Sequence, residues 1–353
     1  MIPATLLADL EARSGRHAFE MFDLLVGTST GCILALALTC PQATGTPRSA
    51  NEIRKLYLER GGSIFPLGGM PLARMPRSVS DAALGYRSPL PPGATLGDKM
   101  KRFMGTGNIR KVFAPFGGDR SQGNARYPPG PLEHELQEQF GSVLMSHALR
   151  PVIGVSCDFA TQKPLIFRGG GLTQGELGDA QMWHVARASS AGPTFFPPFR
   201  YRDTVGVSHE CVDGGLVAND PAIVGLTEAL AMRQLDPRRQ DEILLVSIGT
   251  GHKAGRQPEM DDVVQLADQR TWLQIAPRLA GTLSSAGGEL LREQLSRAMG
   301  SRYVRLQTTL EFGAMHAMDN VSPANLEALR QTGEHLVQAS RAKIDKLLPM
   351  LAA

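Results

Sequence analysis

The stretch FDLLVGTSTGCILAL, Phe22 to Leu36, joins two apolar runs through Gly27-Thr28-Ser29-Thr30-Gly31, five residues that leave the backbone little choice. The first run, Met21 to Val26, has the length of a strand, and the second, Thr30 to Thr39, that of a helix, so the chain must turn sharply between them. A turn that tight forces its central residue into a strained conformation with the hydroxyl projecting outward, and glycines two positions to either side relieve the crowding. The helix that begins near Thr30 aims its unpaired amides, and the positive end of its dipole, at any oxyanion forming beside Ser29. The pattern predicts a nucleophile elbow of the GxSxG type. The alternative is a strand-to-helix turn whose serine merely caps the helix.

Elsewhere strand-length and helix-length segments alternate. Asn51 to Arg60 reads as an amphipathic helix capped by Ser49 or Asn51, and PLEHELQEQF as a helix with Pro131 in its first turn and Gly141 as its stop. PVIGVSCDF, KPLIFR and the segment around Cys211 and Val212 read as strands, and QMWHVARAS as a helix. ANDPAIVGLTEALAMRQL is a helix with Asp220 as cap and Pro221 at its first position, DEILLVSIG a buried strand, and a final helix runs from about Ser322 to Leu348. Alternation of this kind predicts α/β layers around one sheet, in a single domain over 1–353.

One segment breaks the pattern. Between Gly61 and Gly130 there are ten Lys or Arg against three acids, a net charge of +7, among abundant Gly and Pro that interrupt both helices and central strands. It reads as an insertion or lid, 61–130, either a solvated loop or a basic face that approaches anionic lipid headgroups. No run approaches the roughly 18 apolar residues of a membrane-spanning helix, and the start, MIPATLLADLEAR, has acids where a secretion signal would be basic and then apolar. The expectation is a cytoplasmic protein, peripheral at the inner membrane face. Cys32, Cys40, Cys157 and Cys211 lack metal-ligand spacing and read as buried free thiols.

A nucleophilic serine needs a base. The order serine, acid, histidine is available through His252 or His316, but both lie in segments that read as exposed turns, TGHKAG and GAMHAMD. Asp213, in ECVDGGLVANDPA, ends a short apolar strand directly before Gly214 and Gly215, which let another backbone approach closely. A carboxylate within reach of Ser29 could take its proton directly; an ordinary turn aspartate is the competing reading.

The paired GTSTG and DGG motifs resemble those of the patatin-like phospholipases, and IPATLLADLE, FDLLVGTSTG, ARASSAGPTFFPP, VDGGLVANDPA, LVSIGTG and MDNVSPANLEAL follow that family's pattern in order. The resemblance implies a three-layer α/β/α fold with a mainly parallel central sheet. It also implies hydrolysis of acyl esters of phospholipids and related lipids by a serine and aspartate dyad without histidine. Carried over by motif, Ser29 is the nucleophile, Asp213 the base, Gly27, Thr28, Thr30 and Gly31 the elbow, and Gly214 and Gly215 the aspartate loop; no metal and no cofactor is implied.

Members of that family carry a strand and an Asp-Gly-Gly-Gly-x-Arg-Gly loop immediately before the segment matching IPATLLADLE, and the loop's amides form the oxyanion hole. This sequence opens at Met1-Ile2-Pro3, so the expected donor is the Thr30 backbone alone, without the glycine-rich loop; losing one donor costs about 10²- to 10³-fold in turnover. Gly169-Gly170-Gly171 reads as a turn rather than a substitute. Three readings follow: a hydrolase whose sequence starts upstream, a weakened hydrolase that binds lipid or a partner, and an α/β hydrolase using His252 or His316. A narrower resemblance, in EIRKLYLERGGSIFP, is to bacterial patatin-like effectors that degrade membranes when a cyclic dinucleotide activates them. No nucleic acid polymer is expected as a partner.

Overall fold

The computed structural model of the chain describes residues 1–65, 125–193, 195–232, 243–252, 286–312, 314 and 319–352. Most of the basic segment, 66–124, and His316 lie outside the described residues. Helices α1 (Ile2–Ser14) and α2 (Ala18–Met21) precede β1 (Leu25–Thr28), and α3 (Thr30–Ala37) and α4 (Ala50–Ile64) follow it. Next come α5 (Pro129–Phe140), β2 (Val152–Asp158), β3 (Lys163–Gly169), α6 (Met182–Ser189), β4 (Phe199–Arg202) and β5 (Ser208–Asp213). The single turn α7 (Gly215–Ala218) leads to α8 (Ala222–Met232), then β6 (Leu245–Ile248), a helix α9 over 286–299, and β7 (Tyr303–Leu306). The last two helices are α10 (Pro323–Ala339) and α11 (Arg341–Ala352). Among the described residues no helix is long and apolar enough to cross a membrane.

β2 organises the sheet. All seven of its residues are buried, as its near-continuous apolar sequence requires of an interior strand. β3 pairs antiparallel with β2 along its whole length, from Val152↔Gly169 to Asp158↔Lys163. Its other edge is shared: β1 runs parallel over Leu25↔Val152 to Thr28↔Val155, and β5 runs antiparallel over Ser156↔Asp213 to Asp158↔Cys211. β4 adds outside β5, antiparallel, and β6 and β7 form a separate parallel pair. The five-stranded sheet is therefore mixed, with β1–β2 as its parallel pair, and β6–β7 is a parallel pair of its own, within the expected α/β plan. The outcome that matters for the site is that β1 and β5 meet end to end along one edge of β2.

Helices cover both faces of β1. On one face a Cβ at Gly154 would lie 2.5 Å from Val185 of α6 and 2.7 Å from the sulfur of Cys32 in α3, so these helices press on β2 closely enough that only glycine fits. On the other face Gly225 of α8 packs beside Val26, whose side chain points opposite to its neighbour Gly27. The result is three layers, helix, sheet and helix. α1 buries Leu6, Leu7 and Leu10, and its Thr5 packs against Gly333 of α10. All four cysteines are free and buried.

Several boundaries differ from the sequence reading. Met21 ends a helical turn rather than starting β1, because Glu20 reaches back to accept the His17 amide at 2.7 Å and closes α2. α5 starts at Pro129, leaving Pro131 its third residue. The final helix is two, broken at Ser340, whose own carbonyl accepts the Lys343 and Ile344 amides and opens a new axis.

Candidate active site

The elbow is built from β1, Ser29 and α3. Ser29 adopts φ 55°, ψ −127°, a combination that side chains with a Cβ disfavour, while its carbonyl accepts the Cys32 and Ile33 amides and begins α3. A Cβ at Gly27 would lie 2.1 Å from the carbonyl oxygen of Gly31, so the turn closes only with glycine there. The Ser29 side chain does not cap α3; its hydroxyl donates instead to Asp213 Oδ2 at 2.5 Å. The amides of Thr30 and Gly31, the first two of α3, have no hydrogen-bond partner among the described residues, which leaves them free to donate to a bound oxyanion.

Asp213 arrives from the opposite direction. Thr28 pairs with Val155 and Asp213 with Ser156, consecutive residues of β2, so the residue that leaves β1 and the one that ends β5 face each other across the meeting point. The turn after Asp213 is as tight as the elbow: a Cβ at Gly214 would lie 2.2 Å from the Val155 carbonyl oxygen. Asp213 Oδ1 accepts the Gly215 amide at 2.8 Å, which leaves Oδ2 for Ser29. Burial pushes the Asp213 pKa up from its ordinary 3.8; the bonds from Ser29 and Gly215 pull it down, and the net shift is upward.

The structure brings together Ser29, Asp213 and the glycines read from the two motifs, and no histidine with them among the described residues. His252 is exposed, with its Nε2 3.3 Å from Thr309 Oγ1, and no described imidazole is hydrogen-bonded to Ser29 or Asp213. Gly169 pairs with Val152, the first residue of β2 and three residues before Val155, and Gly170 and Gly171 form a turn with φ 64° and 89° beyond that end of the strand. Among the described residues no group of three or more His, Cys, Asp or Glu is placed to hold a metal ion.

One residue escaped the sequence reading. Ser189, the last residue of α6, is fully buried, and its Oγ accepts the Ser29 amide at 2.8 Å. A serine within ARASSAG carries no local signal of that contact, because its partner is 160 residues away in the chain.

A profile of the patatin-like phospholipase family matches residues 4–226, a span that holds both Ser29 and Asp213. Patatin-T5 of Solanum tuberosum is 26% identical over 367 residues, covering 97% of this chain and 82% of its own length. Patatin-17 of Solanum cardiophyllum is 27% identical over 365 residues, covering 96% and 80%. Among solved structures, VipD from Legionella pneumophila aligns with 13% identity and a TM-score of 0.37, over 96% of this chain and 64% of that one.

Proposed function

The chain belongs to the patatin-like phospholipase family, whose members are lipid acyl hydrolases, and from that premise we propose that it cleaves acyl esters of phospholipids and related lipids with Ser29 as nucleophile and Asp213 as base. The observation that carries this reading is the hydrogen bond from Ser29 Oγ to Asp213 Oδ2 at 2.5 Å, with no imidazole between them.

Asp213 Oδ2 removes the Ser29 proton as Oγ attacks the ester carbonyl. Negative charge then develops on the carbonyl oxygen beside the free Thr30 and Gly31 amides, at the positive end of the α3 dipole. As the tetrahedral centre collapses, the proton held on Asp213 passes to the departing alkoxide and leaves an acyl-serine. A water then gives a proton to Asp213 as its oxygen adds to the acyl carbon; the acyl–Oγ bond breaks, Oγ takes the proton back from Asp213, and the fatty acid leaves. The raised pKa of Asp213 suits this double use, since a carboxylate that binds a proton more readily is the stronger base. Leu216 and Val217, 51% and 44% exposed on α7 directly after the aspartate loop, offer an apolar rim to the acyl chain.

The test measures fatty acid release from phosphatidylcholine vesicles and hydrolysis of a soluble p-nitrophenyl ester. Ser29→Ala is expected to lower kcat about 10³-fold or more, and Asp213→Asn about 10²- to 10⁴-fold, with KM little changed. Wild-type rates in Ser29→Ala would overturn the assignment.

A further inference from the structure

Ser29 and Asp213 sit on loops that leave two different strands, and a contact of 2.5 Å between them needs both loops held. Their direct bond cannot supply that hold, since it must break and reform in each catalytic cycle. The element that touches both is the end of α6. Ser189 Oγ accepts the Ser29 amide at 2.8 Å and donates to the Val155 carbonyl at 2.5 Å, while the Ser189 main-chain carbonyl accepts the Gly214 amide at 3.2 Å. Two residues on, the Ala191 carbonyl accepts the Asp213 amide at 3.0 Å.

A hydroxyl has one proton to give. With an amide hydrogen arriving from Ser29, the Ser189 proton is directed to Val155, and the buried Cys32 thiol lies beside the same hydroxyl. Val155 is the β2 residue that pairs with Thr28, and the next residue, Ser156, pairs with Asp213. Ser156 contributes to the same junction: its own hydroxyl lies 3.0 Å from the Ala188 carbonyl and 2.8 Å from that of Val212.

On the reading that Ser29 and Asp213 form the dyad, we infer that Ser189 is a positioning residue that clamps both catalytic loops to β2: its hydroxyl holds the amide of the nucleophile, and its carbonyl holds the amide that follows the base. Without the hydroxyl, the Ser29 amide and the Val155 carbonyl lose their shared partner, and the strained Ser29 backbone has a local route to relax. The Ser29 hydroxyl then spends less time on Asp213. The chemical step slows while substrate binding is preserved, because Ser189 is fully buried and presents no surface to a substrate.

The experiment compares wild type, Ser189→Ala, Ser189→Thr and Ser189→Val on the soluble ester, with Ser29→Ala alongside. Thr and Val have nearly the same shape and differ in the hydroxyl, so a packing role alone would affect them alike. The expected result is a 10- to 100-fold fall in kcat for Ser189→Ala and Ser189→Val, with KM within twofold, and recovery of at least tenfold in Ser189→Thr over Ser189→Val. Equal kcat for wild type and Ser189→Ala, or for the Thr and Val variants, overturns the clamp while leaving the dyad standing whenever Ser29→Ala is inert. Hydrogen exchange of the peptide spanning residues 24–32 gives a readout that needs no turnover. Faster exchange at Ser29 in Ser189→Ala, with the other strands of the sheet unchanged, is expected; unchanged exchange at Ser29 overturns the inference even in a preparation without ester hydrolysis.

Discussion

Asp213 is pulled in two directions. Burial raises its pKa above 3.8, and the Ser29 hydroxyl and Gly215 amide restore only part of the difference. For the chemistry the sign is direct: as the proposed base Asp213 must be ionised, so kcat should rise with pH through a midpoint above 3.8, and a rate profile from pH 3 to 8 locates it. For stability the sign is opposite. A carboxyl whose folded pKa is raised favours the folded state fully below the unfolded value, and that contribution is lost as pH climbs through the folded one. The melting temperature of Asp213→Asn relative to wild type should therefore increase between pH 4 and pH 7; a constant difference across that window would show that the carboxyl does not titrate in this way. The placement of Asp213 was half legible in the sequence. The glycines after it announced a close approach, but what approaches, the Val155 carbonyl, comes from a strand more than fifty residues earlier.

Elements were legible where their signals are local. Ser49 accepts the Glu52 amide while Glu52 accepts the Ser49 amide at 2.8 Å, a reciprocal cap within four residues of sequence. Asp220 likewise accepts the Ala222 amide at the start of α8. What stayed hidden depends on partners far away in the chain. β5 reads as a strand from its apolar residues, yet nothing near Cys211 says that it runs antiparallel to β2 and halts where β1 arrives. His209 on the same strand lies 3.1 Å from Asp158 and 3.0 Å from Asp203, an arrangement of three side chains that no motif spells. α7 gives the element-scale prediction. Its Leu216 and Val217 are exposed beside the proposed base and contribute little to the core. The double substitution Leu216→Asp with Val217→Asp should raise the apparent KM on phosphatidylcholine vesicles about tenfold or more, and leave kcat/KM on a short soluble ester within about twofold. Equal losses on both substrates would remove α7 from lipid handling.

Across the whole molecule the two ends of the described chain are packed together. α1 carries Arg13, ion-paired with Asp345 of α11, and Arg16 follows it, donating to the Leu351 carbonyl at 3.1 Å. The fully buried Ile344 joins the same core cluster as Leu6 and Leu10 of α1. Ile344→Ala should lower stability by about 2 to 5 kcal/mol in urea unfolding, with kcat of the folded enzyme unchanged because α11 lies outside the β1, β2 and β5 junction. A loss of kcat without a loss of stability would contradict that separation. The layered α/β plan was readable from alternation alone, since each amphipathic segment needs a sheet face to cover it. The mixed pairing was not, because strand direction is decided by which edges remain open once the earlier strands are placed. The Ser29 backbone itself has a consequence for the stability of the fold. Glycine adopts φ 55°, ψ −127° without penalty, whereas a residue with a Cβ in such a region costs about 1 to 3 kcal/mol. Strain of that size is what the fold carries for holding the proposed nucleophile, rather than glycine, at position 29.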